Sequence, residues 1–176
     1  MAITNVTIIE MRPTAEGSVI QWQTSGSATH YLNIDDVVTQ PTVSGTGTYN
    51  WADTSNDDDI DEIILGTTSS IPFGFHKINR IDVWFLCQDA SEDGITLRVN
   101  LKVDGSWVGE QSFIPTGGTF GWSSLSFSGN WPGSAINNGD LQVRYQAEAA
   151  MTGSEEFQIA VVYADIYAYP HGPQMF

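Results

Sequence analysis

Two acid-rich stretches contain the residues best suited to chemistry. The first runs from His30 to Asp36 (HYLNIDD), and the second from Asp57 to Glu62 (DDDIDE). Carboxylates at this density could bind a calcium ion through several oxygens of a flexible loop, or could act in pairs as a general acid and base. Alternatively, they are turn and strand-entry residues of a β-domain.

The second stretch does not have the spacing of a helix-flanked calcium loop, because the central Gly and the closing Glu are missing. If Ile60 enters a strand, alternation places Asp59 and Asp61 on the opposite face from Ile60. We therefore interpret the carboxylates of the run Asp57 to Glu62 as solvated turn residues. A calcium site formed by Asp57, Asp58, Asp59 and Asp61 is the alternative, and no other cofactor is predicted.

Catalytic motifs are absent from the sequence. The three histidines, His30, His76 and His171, form no His-x-x-x-His pair, and no Gly-x-Ser-x-Gly segment is present. The glycine-containing turns lack the Lys and the following helix of a phosphate loop. Cys87 lies in an apolar run and is expected to be a buried thiol rather than a nucleophile. The sequence therefore supports no catalytic triad, zinc site or nucleotide chemistry, and a hydrolase that acts through two close carboxylates is a third alternative.

The charge balance excludes some partners. Six Lys and Arg against 21 Asp and Glu give a formal net charge of -15 and a pI near 4.1. Such a surface is repelled by phosphate backbones and anionic lipid, so neither nucleic acid nor a membrane is expected as a partner. No signal peptide or transmembrane segment is expected, and the single cysteine is typical of a chain made in a reducing cytoplasm.

Alternation with period two predicts an all-β protein. Ile95, Leu97, Val99, Leu101 and Val103 share one face of a strand, and Asp104-Gly105 predicts a hairpin turn after it. Similar runs predict about nine or ten strands in total, and this number favours an antiparallel two-sheet β-sandwich of jelly-roll type. An immunoglobulin-like sandwich is less favoured because its Cys, Trp, Cys pattern is absent. The other predicted strands are Val6–Ile9, Tyr31–Ile34, Tyr49–Trp51, Ile60–Leu65, Ile81–Cys87, Leu125–Phe127, Leu141–Ala147 and Phe157–Tyr169. In the last of these, Phe157, Ile159, Val161 and Tyr163 are predicted to share one face.

Residues 1–29 are predicted to lead into the sandwich at 30–170, with a short tail at 171–176. Ile3 to Met11 reads as a strand, whereas Arg12 to Ser18 reads as a loop. The segment is either an arm that packs on a neighbouring molecule or an ordinary edge strand with a loop.

Aromatic and apolar side chains are the candidates for a binding surface. Exposed tryptophans on a β-sandwich can stack on sugar rings or anchor a protein interface, although they can also cap the core. The predicted interface residues are Ile3, Val6, Ile8, Met11, Trp22, Trp84 and Trp107.

The order of these features resembles the β-sandwich modules of virion proteins in tailed phages and prophages. The resemblance extends from about Trp22 to Pro170 and consists of short motifs. They are Gln21-Trp22, Asn33-Ile34-Asp35-Asp36, Asp58-Asp59-Ile60-Asp61, the segment Ile78 to Val83, Trp122-Ser123-Ser124-Leu125, and a closing strand from Ile159 to Pro170.

The resemblance implies a non-enzymatic virion protein. A capsid decoration or cement protein on the outer surface of the head is favoured, with the major capsid protein as partner and a homotrimer as the expected assembly. A tail or head-fibre module is the alternative within the virion. A carbohydrate-binding β-sandwich module that recognises host glycans is the alternative from another functional class.

Overall fold

The fold is described from a computed structural model, which describes residues 7–35, 47–53, 59–66, 76–92, 94–115, 117–136, 141–147 and 156–170. Within these ranges the chain forms ten strands and two short 3-10 turns, at His30–Asn33 and Gly133–Ile136. None of the helical segments described is long and apolar enough to cross a membrane. The strands are β1 Thr7–Ile20, β2 Gln23–Thr24, β3 Asn50–Asp53, β4 Ile60–Gly66, β5 His76–Asp89, β6 Leu97–Val103, β7 Ser106–Phe113, β8 Gly121–Pro132, β9 Gln142–Ala147 and β10 Glu156–Pro170.

The strands form two antiparallel sheets. In sheet A, β5 lies between β8 and β10, and the other edge of β10 pairs with β3 and with the first part of β1; β2 extends the sheet beyond β3. Sheet B has the order β1, β4, β9, β6, β7, with the second part of β1 at its edge. Strand β1 thus belongs to both sheets.

Consecutive strands repeatedly cross between the sheets, since β3, β5, β8 and β10 lie in sheet A while β4, β6, β7 and β9 lie in sheet B. The inner faces pack together, as the ring contacts of Phe85 in sheet A with Phe113 and Tyr145 in sheet B show. The all-β, antiparallel, jelly-roll prediction is therefore confirmed.

Strand β6, which has the most regular alternation in the sequence, has the predicted pattern of burial. The inward residues of β6, namely Leu97, Val99, Leu101 and Val103, are all buried. The hairpin to β7 turns at Asp104 and Gly105, whose φ angles of 52° and 75° fit a tight two-residue turn. The predicted buried thiol is confirmed as well: Cys87 has no exposed surface, and burial raises its pKa to about 12.

Strand β10 does not keep the predicted alternation. The register with β5 shifts between Ile159 and Val161, which is a β-bulge around Ala160. Before the bulge Phe157 and Ile159 face the core between the sheets, whereas Val161 and Tyr163 belong to a second apolar cluster outside that core. The prediction of one face through Phe157, Ile159, Val161 and Tyr163 is wrong beyond Ile159, and the core residues there are Val162, Ala164, Ile166 and Ala168.

The N-terminal segment is integrated into the sandwich from Thr7 onwards. Residues 7–11 pair with β10 and residues 12–20 with β4, including the stretch predicted as a loop. Register shifts in the second pairing accommodate the irregular sequence around Pro13 and Gly17. Of the two alternatives, residues 7–20 form an edge strand, so the arm interpretation does not apply to them, and residues 1–6 lie outside the described residues.

The predicted strand Tyr31–Ile34 is also wrong. His30–Asn33 forms a 3-10 turn, and the Asn33 side chain accepts a hydrogen bond from the Ser27 backbone N–H at 2.8 Å. Such a local bond between side chain and backbone competes with strand pairing. The Ile34 carbonyl then accepts a hydrogen bond from the Val162 N–H, between the parts of β10 that pair with β3 and with β1.

Candidate functional site

The most concentrated polar chemistry of the described residues is a network inside the sandwich, centred on Asp61. This residue is the second of β4, and its side chain has no exposed surface. Asp61 Oδ1 accepts hydrogen bonds from the backbone N–H groups of Gln21 and Trp22, at 2.8 and 3.0 Å. Asp61 Oδ2 lies 2.6 Å from His30 Nδ1 and accepts a 3.2 Å hydrogen bond from the Tyr145 hydroxyl.

The connection between β1 and β2 is fixed to the start of β4 by two more hydrogen bonds and contacts β9 through a ring pair. The Trp22 indole Nε1 donates to the Asp59 carbonyl at 2.8 Å, and the Gln21 side chain accepts from the Ile60 N–H at 2.9 Å. The Trp22 ring packs edge-on against the Tyr145 ring, with centroids 4.9 Å apart. Trp22 is therefore a core residue, only 3% exposed.

Two asparagines extend the network toward β3. Asn33 Nδ2 donates to Asn50 Oδ1 at 3.1 Å, and Asn50 Nδ2 contacts both the His30 carbonyl and the Tyr145 hydroxyl. Burial, together with the nearby Asp61 carboxylate, raises the pKa of Tyr145 well above its usual range, so its hydroxyl stays protonated. Every buried side-chain nitrogen and oxygen of the described residues has a hydrogen-bond partner.

Glu62 faces the other side of β4 and holds the edge of sheet B. It accepts hydrogen bonds from the Ser18 N–H and hydroxyl and from the Arg144 guanidinium. Burial opposes ionisation, but these hydrogen bonds outweigh it and lower the pKa of Glu62. Glu62 is only 1% exposed, so the prediction that Asp61 and Glu62 are solvated carboxylates is wrong.

The hydrogen bonds of this network join the connection between β1 and β2 to β4 and β9 inside the sandwich. Both Asp61 oxygens already accept hydrogen bonds from protein groups, which is the physical reason to remove Asp61 from the predicted calcium site. No cluster of three His, Cys, Asp or Glu residues that could hold a metal ion occurs in the described part of the chain. Asp57 and Asp58 lie outside the described residues.

Asp89, at the end of β5, is a further buried carboxylate, and the sequence patterns did not identify it. Its two oxygens accept hydrogen bonds from the backbone of residues 91, 92, 94 and 95 and from the Ser91 hydroxyl. Burial opposes ionisation, but these bonds lower the pKa of Asp89. The signal that could have found it is an Asp three residues before the turn sequence Glu92-Asp93-Gly94.

The outer face of sheet A contains an aromatic platform. Tyr163 contacts two tryptophan rings: Trp84 stacks on it with an interplanar angle of 14°, and Trp122 meets it edge-on. Tyr49 and Phe120 form a further ring pair with centroids 6.3 Å apart. We call the set Tyr49, Trp84, Phe120, Trp122 and Tyr163 the sheet A platform; Tyr163 is buried, and the other four rings are partly exposed.

Hydrogen-bonding groups surround the sheet A platform. The Trp84 indole donates to Asp165 at 3.1 Å, the Ser126 hydroxyl donates to Asp82 at 2.6 Å, and the Arg12 guanidinium lies 4.5 Å above the Tyr163 ring. Burial, with smaller contributions from the charges of Glu10 and Asp82, raises the pKa of Asp165. The combination of ring faces with carboxylates and hydroxyls can bind a ligand that has both apolar faces and hydroxyl groups.

The outer face of sheet B is different. Trp107, on β7, is 39% exposed, with the Arg144 guanidinium 4.3 Å and the Lys102 ammonium 5.7 Å from its ring centroid. Trp84 and Trp107 are therefore on opposite sides of the molecule and cannot belong to one binding site.

The predicted interface residues are thus separated by the fold. Met11 and Trp22 are core residues, and their prediction as interface residues is wrong. Met11 is only 1% exposed and Trp22 only 3%, which leaves no surface for a partner. Ile8 is 56% exposed on β1, at the edge of sheet A. Ile3 and Val6 lie outside the described residues.

No family model matches the chain, and no curated protein matches it. Among solved structures it is similar to the Agl-KA catalytic domain, with a TM-score of 0.46, 12% identity, and coverage of 97% of this chain and 28% of that chain. The xylan-binding module CBM15 has a TM-score of 0.41 and 15% identity, with coverage of 92% of this chain and 97% of that chain. The coat protein of Tobacco streak virus has a TM-score of 0.39 and 16% identity, with coverage of 100% of this chain and 96% of that chain.

The chain spans 28% and 25% of the lengths of the Agl-KA catalytic domain and of the MgGH51 α-L-arabinofuranosidase. The similar structures are jelly-roll β-sandwich proteins that include viral coat proteins and carbohydrate-binding modules. All of these TM-scores are below 0.5.

Proposed function

We propose that the chain is a non-enzymatic structural protein of a tailed-phage virion, a capsid decoration protein that binds the outer surface of the head and stabilises it. The observation behind this proposal is the convergence of three resemblance motifs in one buried network. Gln21 and Trp22 donate to the Asp61 carboxylate, the Asp59 carbonyl accepts from the Trp22 indole, and Asn33 joins the same network through Asn50 and Tyr145. The motifs of the virion resemblance are therefore residues that build the sandwich.

The charge distribution supports the same role. A decoration protein is present in many copies on one particle, and a net charge of -15 keeps such particles dispersed. Binding to the native shell stabilises it by mass action, since rupture must also break the new contacts. A trimer at local threefold axes is the proposed assembly.

The proposal is tested by electron microscopy of particles made with and without this chain. We expect added density on the outer surface of the head when the chain is present, and rupture of the undecorated heads at a lower temperature. Density on the tail alone, or heads of equal heat stability, would contradict the decoration role.

An arm, if it contributes to binding, lies before β1. Deletion up to Arg12 would remove half of β1 together with the core residue Met11, so loss of binding after that deletion would not separate an arm from the fold. Deletion of residues 1–6 is the sharper experiment, and we expect lower occupancy on heads with an unchanged melting temperature. Ile8→Ser tests the exposed start of the edge strand in the same assay.

Carbohydrate binding is the second candidate function, and the sheet A platform favours it. Partly exposed rings beside Asp82, Asp165 and Ser126 offer both stacking faces and hydrogen bonds to sugar hydroxyls. The carboxylates around the platform favour a neutral glycan over an acidic one.

A glycan array and soluble neutral polysaccharides test this function. If the platform binds them, Trp84→Ala should abolish binding while Trp107→Ala, on the opposite face, should not. Absence of binding across the panel, or equal binding by the two variants, would remove the candidate.

A further inference from the structure

The outer face of sheet B has a composition unlike the rest of the chain. On its two central neighbouring strands, β6 and β9, six side chains point away from the core, as the alternation of buried and partly exposed residues shows. Three are cationic and three are amides. They are Arg98, Asn100, Lys102, Gln142, Arg144 and Gln146.

This face concentrates positive charge in an acidic protein. It contains three of the six Lys and Arg residues of the chain, and none of the six positions is acidic although the chain has 21 Asp and Glu. The acids of the adjoining strands are engaged: Glu62 is buried against Arg144, and Glu110 accepts a hydrogen bond from Asn100. The absence of acids from the outward positions of β6 and β9 is not explained by solubility, for which added carboxylates are the more effective residues.

Trp107 gives the same face an apolar anchor. Both Lys102 and Arg144 contact its indole ring, so part of its side-chain freedom is already restricted before any partner binds. Trp and Arg are the residues most enriched among those that dominate protein interfaces. An exposed Trp framed by cations and amides therefore has the composition of an interface centre.

We propose that the outer face of sheet B seats the chain on an acidic surface of a shell protein, with Trp107 as the anchor and Arg98 and Lys102 as charge partners. This inference rests on the proposed virion function and adds the orientation of the molecule. Charge complementarity identifies the occupant, because cations gathered on one face of an acidic chain match a local patch of carboxylates. The sheet A platform then faces away from the shell.

The experiment uses the full chain and heads of the encoding phage that were assembled without it, with occupancy measured by co-sedimentation. We expect Trp107→Ala and Lys102→Glu each to weaken binding at least about tenfold. Arg80→Glu is the matched control, because it makes the same charge change on the outer face of sheet A, where Arg80 lies over the Tyr167 ring. It should bind like the wild type, and all three variants should melt within a few degrees of it.

The outcomes separate the two proposals. If the wild-type chain does not bind heads, the decoration function fails and this inference fails with it. If the wild type binds but Trp107→Ala and Lys102→Glu bind equally well, the decoration function stands and the assignment of sheet B is overturned. Loss of binding by Arg80→Glu alone would place the shell contact on sheet A. Self-association of the wild type that Trp107→Ala abolishes, with head binding unchanged, would assign the face to a second copy of the chain.

Discussion

At the scale of single residues, the carboxylates of this acidic chain are of two kinds. Some repel one another at the surface, and others are buried and accept hydrogen bonds within the fold. Asp61 is the clearest example of the second kind. Its charge is compensated by two backbone N–H groups, His30 and Tyr145, within the core. Removing a buried charged acceptor leaves several buried donors without a partner, and each unpaired donor destabilises the folded state.

We therefore expect Asp61→Ala to lower the free energy of unfolding by about 3–5 kcal/mol, the range for breaking a buried charged network. Urea denaturation followed by tryptophan fluorescence measures this loss, since Trp22 reports on the same network. Glu110→Ala is the control because Glu110 is an exposed residue of β7, and its effect should be within about 0.5 kcal/mol. A loss below about 1 kcal/mol for Asp61→Ala would show that the network contributes little to stability.

The carboxylates of Asp89 and Asp165 are expected to change the stability of the fold with pH in opposite directions. The pKa of Asp89 is lowered, so its ionised form contributes stability above the unfolded-state pKa, and this contribution is lost as the pH falls through the folded-state pKa. The pKa of Asp165 is raised, so its ionisation destabilises the fold at neutral pH, and protonation relieves that cost as the pH falls.

Asp89→Asn should therefore be less stable than the wild type at pH 7, by about 1–3 kcal/mol, with a difference that shrinks in acid. Asp165→Asn should be equally or more stable at pH 7 and lose that advantage below the usual range for Asp. Thermal melts from pH 3 to 7 compare the two, at steps of about one unit. Destabilisation by Asp165→Asn at neutral pH would contradict the assigned direction.

At the scale of strands, the bulge in β10 determines which side chains reach the core. An extra residue at Ala160 turns Val161 and Tyr163 outward and lets Val162 and Ala164 face inward. Because side chains alternate with period two, removing one residue would exchange the faces of everything after it.

Deletion of Ala160 should therefore abolish folding, since Tyr163 and Asp165 would be directed into the core. Expression in the insoluble fraction, or loss of a cooperative melting transition, is the expected result. Ala160→Gly keeps the residue count and should fold. A soluble deletion variant with a wild-type circular dichroism spectrum would show that the register of β10 can slip.

The same strand explains how much of the fold the sequence could predict. In β6 and β9, polar outward residues alternate with apolar inward ones, so both strands and the Asp104-Gly105 turn were predictable. In β10, Val161 and Val162 are both buried because apolar groups cover both faces, and the alternation that would reveal the bulge is lost. A local pattern contains no information on which long-range neighbour covers a face.

The site was predictable to a smaller degree for a related reason. The acid-rich stretches were recognised, but their burial depends on donors that lie elsewhere in sequence, such as Ser18 and Tyr145. Acidity alone indicates exposure, and only the fold shows that Asp61 and Glu62 are buried among hydrogen-bond donors.

At the scale of the whole molecule, the two outer faces have different chemistry. The sheet A platform is aromatic and lies among Glu10, Asp82 and Asp165, whereas the central strands of sheet B present cations and amides beside Trp107. A sandwich with one chemistry on each side can contact a partner with one face and solvent, or a second ligand, with the other. The distribution of six cations among 21 acids is therefore informative about orientation as well as solubility.

The net charge of the molecule also sets how its stability responds to salt. With a charge of -15, repulsion among surface carboxylates opposes the compact state, and added salt screens that repulsion over a Debye length of about 10 Å at 0.1 M. We expect the melting temperature to rise between about 0.02 M and about 0.5 M NaCl.

The double variant Arg98→Gln, Lys102→Gln sharpens this prediction, because removing two cations changes the charge from -15 to -17. Its melting temperature should start lower at low salt and rise by more than that of the wild type, so that the two curves converge as the charges are screened. Differential scanning fluorimetry at matched protein concentration is sufficient to measure both. A melting temperature that falls with salt would mean that ion pairs such as Arg144 with Glu62 outweigh the general repulsion, and the stability of the sandwich would then depend on specific contacts across sheet B rather than on the overall charge.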